Sequence, residues 1–300
     1  MACDAPLSIR YNPPLEDGKG GHIYSFPADC GKCLKCLTKR KAQWSYRLTE
    51  EQRRSFSSYF VTLTYEEANL TFGDNGPVTN KLDHFKFIDQ LKELEKSKKL
   101  ALRSCISEEE LNRIRDGIKE EGKLAYYGVS EYGERFGRPH WHYILFNVRD
   151  INNIDLAWGL GKVQVDECNV NTIDYVLKYM IKETSPGKYE NKTRECSFMS
   201  KGLGNVVNTE FINYIQTDSG NMVINSRYQR VPLPRYFRKK YIPGDARTRK
   251  NVYIRNMVEE KEKREDESTL ARGGNPDQLR QLDKQRRLHQ LRTQSKRNLE

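Results

Sequence analysis

Two histidines two residues apart, His140 and His142, stand eleven residues after a carboxylate, Glu131. Tyr175, Lys178 and Tyr179 follow about thirty residues later. From His140 to Phe146 the residues alternate as in a strand, so His140, His142, Ile144 and Phe146 share one face and Trp141, Tyr143 and Leu145 the other. Both imidazoles therefore point the same way, close enough to bind one divalent ion, and a carboxylate brought beside them completes a ligand set that leaves coordination positions open. Glu131 is the candidate carboxylate, with Gln164 or Asp166 as alternatives. Tyr175, Lys178, Tyr179 and Lys182 fall at i, i+3, i+4 and i+7, one side of a helix carrying two phenols and two ammonium groups. A solvated Lys/Tyr face would show the same spacing.

Positioning these residues requires a hairpin and a helix. Leu124 to Glu131, rich in Tyr and Val, predicts a strand before the histidines, and Gly133, Gly137 and Pro139 predict the loop that returns Glu131 alongside them. The spacing of Ile173, Val176, Leu177, Met180 and Ile181 predicts a helix over 172–182 with Asn171 as N-cap and that apolar stripe toward the sheet. Tyr59 to Tyr65 alternates as another strand, and Asn75-Gly76-Pro77 marks a loop. A helix follows over 81–99, with Leu82, Phe85, Ile88, Leu91 and Leu94 as its apolar side and His84 as a surface or packing residue. Glu108 to Glu121 predicts a charged inserted helix, Ile151 to Trp158 a short helix or loop, and Lys162 to Asp166 a strand. The order gives an α+β fold: an antiparallel sheet with helices on one face, related to ferredoxin-like folds.

The flanks differ in composition. Residues 1–27 are punctuated by Pro and Gly and predict irregular chain. Cys30, Cys33 and Cys36 then have the spacing of a zinc knuckle, with Cys3 as a fourth ligand; an iron–sulfur cluster and free reduced thiols are the alternatives. Thr38 to Arg54 predicts a basic amphipathic helix with Trp44 and Leu48 at i, i+4. Organisation by segment is a Cys-rich 1–54, a core 55–185, a basic and aromatic extension 186–254, and a charged, helical or partly disordered tail 255–300 interrupted at Gly273-Gly274-Asn275-Pro276. Net charge is +11 and 17 tyrosines interleave with the cations, a composition that fits nucleic acid and stacking on unpaired bases. No apolar run is long enough to span a bilayer and no secretory h-region opens the chain, which predicts a cytosolic protein without a membrane partner.

His140-Trp141-His142, the upstream Glu131 and Tyr175-x-x-Lys178-Tyr179, taken together and in this order, resemble the HUH endonucleases that start rolling-circle DNA replication, and among them the initiators of microviruses of the gokushovirus branch. The resemblance covers roughly 58–182. It implies the same α+β core, with Tyr175 and Tyr179 as nucleophiles assisted by Lys178. It implies His140, His142 and Glu131 as ligands of Mg2+ or Mn2+. DNA contacts at Thr62, Thr64, Arg138 and Lys182 are expected, and a structural Zn2+ at the cysteines, a cluster that such initiators also carry. The activity implied is cleavage of single-stranded or supercoiled origin DNA by a tyrosine, leaving a 5′-phosphotyrosine and a free 3′-OH. The setting implied is the cytoplasm of an infected bacterium, with host helicase and DNA polymerase as partners. A relaxase or transposase with the same site, or a basic zinc-containing nucleic-acid-binding protein without catalysis, are the rival readings.

Overall fold

The computed structural model of the protein describes residues 3–16, 20–74, 76–103, 122–133, 137–180, 195–205, 208–217, 219–283 and 285–286. The chain divides into two compact units, Met1–Phe211 with Met222–Phe237, and Ile212–Asn221 with Arg238–Glu300. In chain order the elements are β1 (Leu7–Glu16), β2 (His22–Ala28), α1 (Leu34–Arg54), β3 (Ser58–Thr64), β4 (Thr71–Gly73), β5 (Gly76–Val78), α2 (Lys81–Arg103), β6 (Ala125–Tyr132), β7 (Pro139–Phe146), α3 (Asn152–Trp158), β8 (Val163–Glu167), α4 (Val170–Lys178), β9 (Ser197–Met199), α5 (Thr209–Gln216), β10 (Met222–Ile224), β11 (Arg230–Pro232), α6 (Arg235–Tyr241) and α7 (Gly244–Ala271).

The first unit is built on a five-stranded antiparallel sheet in the order β8-β3-β7-β6-β9. The period-2 alternation of β3 and β7 sorts their side chains cleanly. Val61, Leu63, Trp141, Tyr143 and Leu145 are fully buried on one face, against Phe87, Ile88 and Leu91 of α2 and Ile154, Ala157 and Trp158 of α3. Tyr127, Val129, Ile144 and Phe146 on the other face pack against Leu48 of α1 and Ile173, Val176 and Leu177 of α4. The α+β antiparallel architecture expected from the sequence is present. The expectation of helices on one face holds for α2 and α3 only, because α1 and α4 form a second apolar layer over the histidine-bearing face. Gly128 is required between these layers: it pairs with Tyr143, and a Cβ there would meet the Tyr143 ring at 2.4 Å.

Two local expectations are corrected. Residues 7–28 form the hairpin β1–β2 rather than irregular chain. Pro13 and Pro14 lie where its register shifts, between Arg10 and Leu15, and its strands are mostly exposed, so neither alternation nor apolar content marked it. The inward side of α2 is His84, Phe87, Ile88 and Leu91, while Leu82 and Phe85 are exposed. The phase is set by polar anchors in its first turns: Asp83 accepts a hydrogen bond from the Tyr65 hydroxyl at 2.9 Å, and His84 Nδ1 meets the Tyr143 hydroxyl at 2.9 Å. His84 is thus a packing histidine, stacked on Phe198 with centroids 4.3 Å apart, and burial lowers its pKa to about 4. The helix expected over 108–121 and most of the loop before Gly137 lie outside the described residues.

Beyond the sheet, Phe237 is buried edge-on against Tyr46 and Phe211, so the basic, aromatic stretch after Arg227 contributes core packing to the first unit. In the second unit the buried Lys250 ammonium donates to the carbonyls of Ile215, Thr217 and Gly220 at 2.7, 2.5 and 3.0 Å. It thereby satisfies carbonyls at a helix end that have no partner within the helix. The charged residues after Arg255 continue α7, exposed along most of its length, to the break expected at Gly273. No helix among the described residues is long and apolar enough to cross a membrane.

Candidate active site

The β3–β7–β6 register sets the site. Thr64, His140 and Glu131 lie in one cross-strand row; Thr62, His142 and Val129 form the next. All six therefore face the same side. Thr62 Oγ1 lies 3.1 Å from His142 Nδ1, and Thr64 Oγ1 lies 3.3 Å from His140 Nδ1. Each threonine thus occupies the Nδ1 of one imidazole and leaves its Nε2 for a ligand, which is the usual way a protein fixes the tautomer and ring orientation of a metal-binding histidine. His142 Nε2 is 2.8 Å from Glu131 Oε2, with both side chains buried. The hairpin return expected for Glu131 is thereby in place. Burial, then the neighbouring His142, hold the His140 pKa below its ordinary value against the opposing pull of Glu131, so His140 is a neutral imidazole, the form that binds a cation. A Cβ on Gly133 would come within 3.1 Å of His140 Nε2, so only glycine keeps that nitrogen uncrowded.

Helix α4 brings the phenols. Its N-cap is Asn169 rather than Asn171: the Asn169 side chain accepts from the backbone N–H groups of Asn171 and Thr172, and Thr172 reciprocates in a capping box. The helix ends at Lys178, with Tyr179 as C-cap, short of the expected Lys182, which lies outside the described residues. Ile173, Val176 and Leu177 are fully buried and fix its rotation on the sheet. On the side this leaves, the Tyr179 hydroxyl donates to Glu131 Oε2, and its ring stacks on His142 with centroids 5.9 Å apart. Tyr175 meets His142 edge-on at 5.4 Å and Tyr179 at 5.8 Å and is itself exposed. Lys178 Nζ lies 3.8 Å from the Tyr175 ring centroid and 5.1 Å from that of Tyr179. Desolvation, reinforced by the Glu131 charge, raises the Tyr179 pKa well above that of a free phenol, so this group holds its proton at neutral pH.

The structure therefore brings Glu131, His142, Tyr175, Lys178 and Tyr179 together, with His140 one strand position away at 6.5 Å between imidazole centroids. Two imidazoles whose Nε2 atoms are not taken by the threonines, with a carboxylate beside them, are chemically suited to a divalent cation. Their donor atoms lie further apart than those of the cysteine tetrad described next, which among the described residues is the group whose ligand atoms all fall within 4.8 Å of one another. Of the alternative third ligands, Gln164 pairs with Thr62 across β8–β3 and donates to Asp166, so Glu131 is the carboxylate beside the imidazoles. Arg138 bonds Glu67 at 2.8 Å and the Tyr65 carbonyl at 2.6 Å, tying the β6–β7 loop to the end of β3. The sequence did not disclose the threonine–imidazole pairs, nor Phe60, which stacks on His142 at 5.8 Å and meets Tyr175 edge-on. The Thr/aromatic alternation of β3 was their only signal.

Cys3, Cys30, Cys33 and Cys36 converge as a second candidate centre. Cys3 and Cys33 sulfurs are 3.7 Å apart, and those of Cys30 and Cys36 are 3.9 Å apart. A tetrahedral zinc with bonds of about 2.3 Å needs sulfurs about 3.8 Å apart, so the tetrad fits a metal such as zinc. Backbone N–H groups of Cys33 and Lys32 lower the Cys30 pKa to about 6, and burial pushes Cys36 up to about 12.

Fold and site define a class before any particular relative: residues 58–184, spanning β3 to the end of the tyrosine helix and beyond, match the family model of the phage replication-associated protein ORF2. Particular relatives extend the similarity into the flanks. The chain is 26% identical over 254 residues to replication-associated protein ORF4 of Chlamydia phage 1, covering 74% of this chain and 56% of that protein. It is 23% identical to replication-associated protein VP4 of Bdellovibrio phage phiMH2K and 24% identical to replication-associated protein ORF2 of Spiroplasma virus 4. These matches cover 80% and 82% of this chain and 77% of each relative. The likeness to phage replication initiators read from the motifs is thus a likeness along most of the chain. No solved structure matches it significantly.

Proposed function

We propose that the protein initiates rolling-circle replication of a phage genome by cutting single-stranded origin DNA with a tyrosine and later rejoining the ends. The observation that carries this reading is the contact of the Tyr179 hydroxyl with the Glu131 carboxylate, itself bonded to His142. A nucleophile, an acceptor for its proton and the candidate cation ligands meet at one point. When bound there, Mg2+ or Mn2+ would polarise the non-bridging phosphate oxygens and stabilise the phenolate. His140, His142 and Glu131 would hold it, with Thr62 and Thr64 orienting the imidazoles.

The protein's own groups then divide the work. Glu131 is placed to accept the proton of Tyr179, and the Lys178 ammonium beside both rings favours phenolate at either one. Attack forms the tyrosine Oη–P bond as the P–O3′ bond breaks. The phenolic proton is lost to base and the departing 3′ oxygen takes one up, leaving a 5′-phosphotyrosine and a 3′-OH. The phosphodiester energy is conserved in the protein–DNA link, so rejoining needs no nucleotide triphosphate. Host DNA polymerase and helicase would extend and unwind from that 3′-OH in the bacterial cytoplasm. Incubation with labelled origin single strands and Mn2+ should yield an SDS-resistant adduct carrying the 5′ side of the cut. DNA binding without any adduct would overturn the enzymatic reading in favour of a non-catalytic replication factor.

A further inference from the structure

We infer that Tyr228, at the tip of the β10–β11 hairpin, is a stacking platform for an unpaired base of the strand held at Tyr175 and Tyr179. The inference rests on the reading of that site as one that handles single-stranded DNA.

Four observations carry it. Tyr228 is 91% exposed, more than any other large apolar side chain among the described residues, although a tyrosine ring loses apolar burial by standing in water. The turn that holds it is tightly defined. Asn225 Oδ1 accepts from the backbone N–H groups of Arg227 and Gln229 at 3.0 and 2.9 Å, and the Tyr228 N–H donates to the Asn225 carbonyl at 3.0 Å. Tyr228 takes φ of 57°, a conformation a bulky residue rarely adopts, whereas glycine would adopt it without cost. Finally, the tip is fastened to the tyrosine helix: Arg227 pairs with Asp174 at 2.6 Å, and Asp174, which also accepts from Ser45 of α1 at 3.4 Å, directly precedes Tyr175.

The arrangement thus displays an aromatic ring on a rigid arm anchored beside a candidate nucleophile. Arg227 and Arg230 flank it, and Lys178 lies within the helix it docks on. Aromatic rings next to cations are what proteins use to hold bases of a single strand irrespective of sequence, because every base has a π face while the cations track the phosphates. A ring fixed near the cut site would hold the strand in register without reading it, leaving the choice of origin to other contacts.

The test measures binding of a fluorescein-labelled origin oligonucleotide to the full-length protein by anisotropy in EDTA, so that no cleavage intervenes. Tyr228→Ala should weaken binding about tenfold, and Tyr228→Trp should restore it. The dependence of log Kd on log salt should be the same for both variants and the parent, since stacking releases no counterions. Unchanged affinity in Tyr228→Ala, with the parent binding well, would overturn the platform and leave the nicking reading intact. A loss not rescued by tryptophan would overturn it as well, pointing to the turn rather than the ring. A parent protein that binds no single strand at all would sink both readings together.

Discussion

At the scale of single residues the site is defined by who holds whom. Each histidine is gripped at Nδ1 by a threonine from the neighbouring strand, and this division of nitrogens makes two alternating histidines usable as a pair. Thr62→Val should therefore lower Mn2+ affinity about 10- to 100-fold, the usual penalty for losing a partner of a ligating imidazole, as measured by calorimetry. His142→Ala should abolish metal-dependent nicking while leaving the circular dichroism spectrum unchanged. A His142→Ala protein that nicks normally would remove these histidines from the chemistry. The tyrosines are not equivalent: Tyr179 is half-buried and engaged by Glu131, while Tyr175 is exposed and stands outside that contact. Alternation between them predicts that Tyr175→Phe and Tyr179→Phe each keep some nicking of a short oligonucleotide, that neither releases closed circles, and that the double variant does nothing. Unit-length circles released at the normal rate by Tyr179→Phe would leave Tyr175 as sole nucleophile.

At the scale of elements, strand pairing and one short helix make the geometry. The hairpin β6–β7 was legible in the sequence because alternation over eight residues and a Gly/Pro loop are strong local signals, and they placed Glu131 beside the histidines. Helix α4 was legible in its apolar stripe but not in its ends: Asn169 and Asn171 are equally good N-caps by type, and only the reciprocal bond from Thr172 decides between them. Asn169→Ala should destabilise the protein by about 1 kcal/mol in chemical denaturation, and the frayed first turn should slow nicking without altering Mn2+ affinity, since no candidate ligand lies on α4. What was not legible was cross-element partnership. That α1 and α4 cover the histidine face, that Asp83 and His84 rather than Leu82 and Phe85 turn inward on α2, and that Thr62 and Thr64 meet the imidazoles all depend on the stacking of distant segments, and no local pattern encodes it.

Across the whole molecule, the cysteine tetrad is the feature that joins remote parts of the sequence. Cys3 precedes the β1–β2 hairpin, Cys30 follows it, Cys33 caps α1 and Cys36 lies in its first turn, so one ion would fasten the hairpin to the helix that lies with α4 on the histidine face. The exposed hairpin buries little apolar surface of its own, so the tetrad is where its attachment is concentrated; the Asp4–Lys35 pair at 2.7 Å adds a modest second tie. The ligands are unequal. Cys30, lowered to about 6 by backbone N–H groups, is a thiolate at neutral pH; Cys36, pushed up to about 12 by burial, is a thiol that must lose its proton to coordinate. Metal uptake should therefore release protons at pH 7, strengthen as pH rises, and weaken steeply once pH falls below about 6, where Cys30 protonates too. Protein purified without chelator should contain about one zinc per chain. Stripping it should lower the melting temperature and make residues 3–30 the first site of proteolysis, with the sheet preserved. Replacing Cys30, Cys33 and Cys36 together by serine should reproduce the stripped protein. A triple variant with the metal content and melting temperature of the parent would identify the four sulfurs as ordinary thiols.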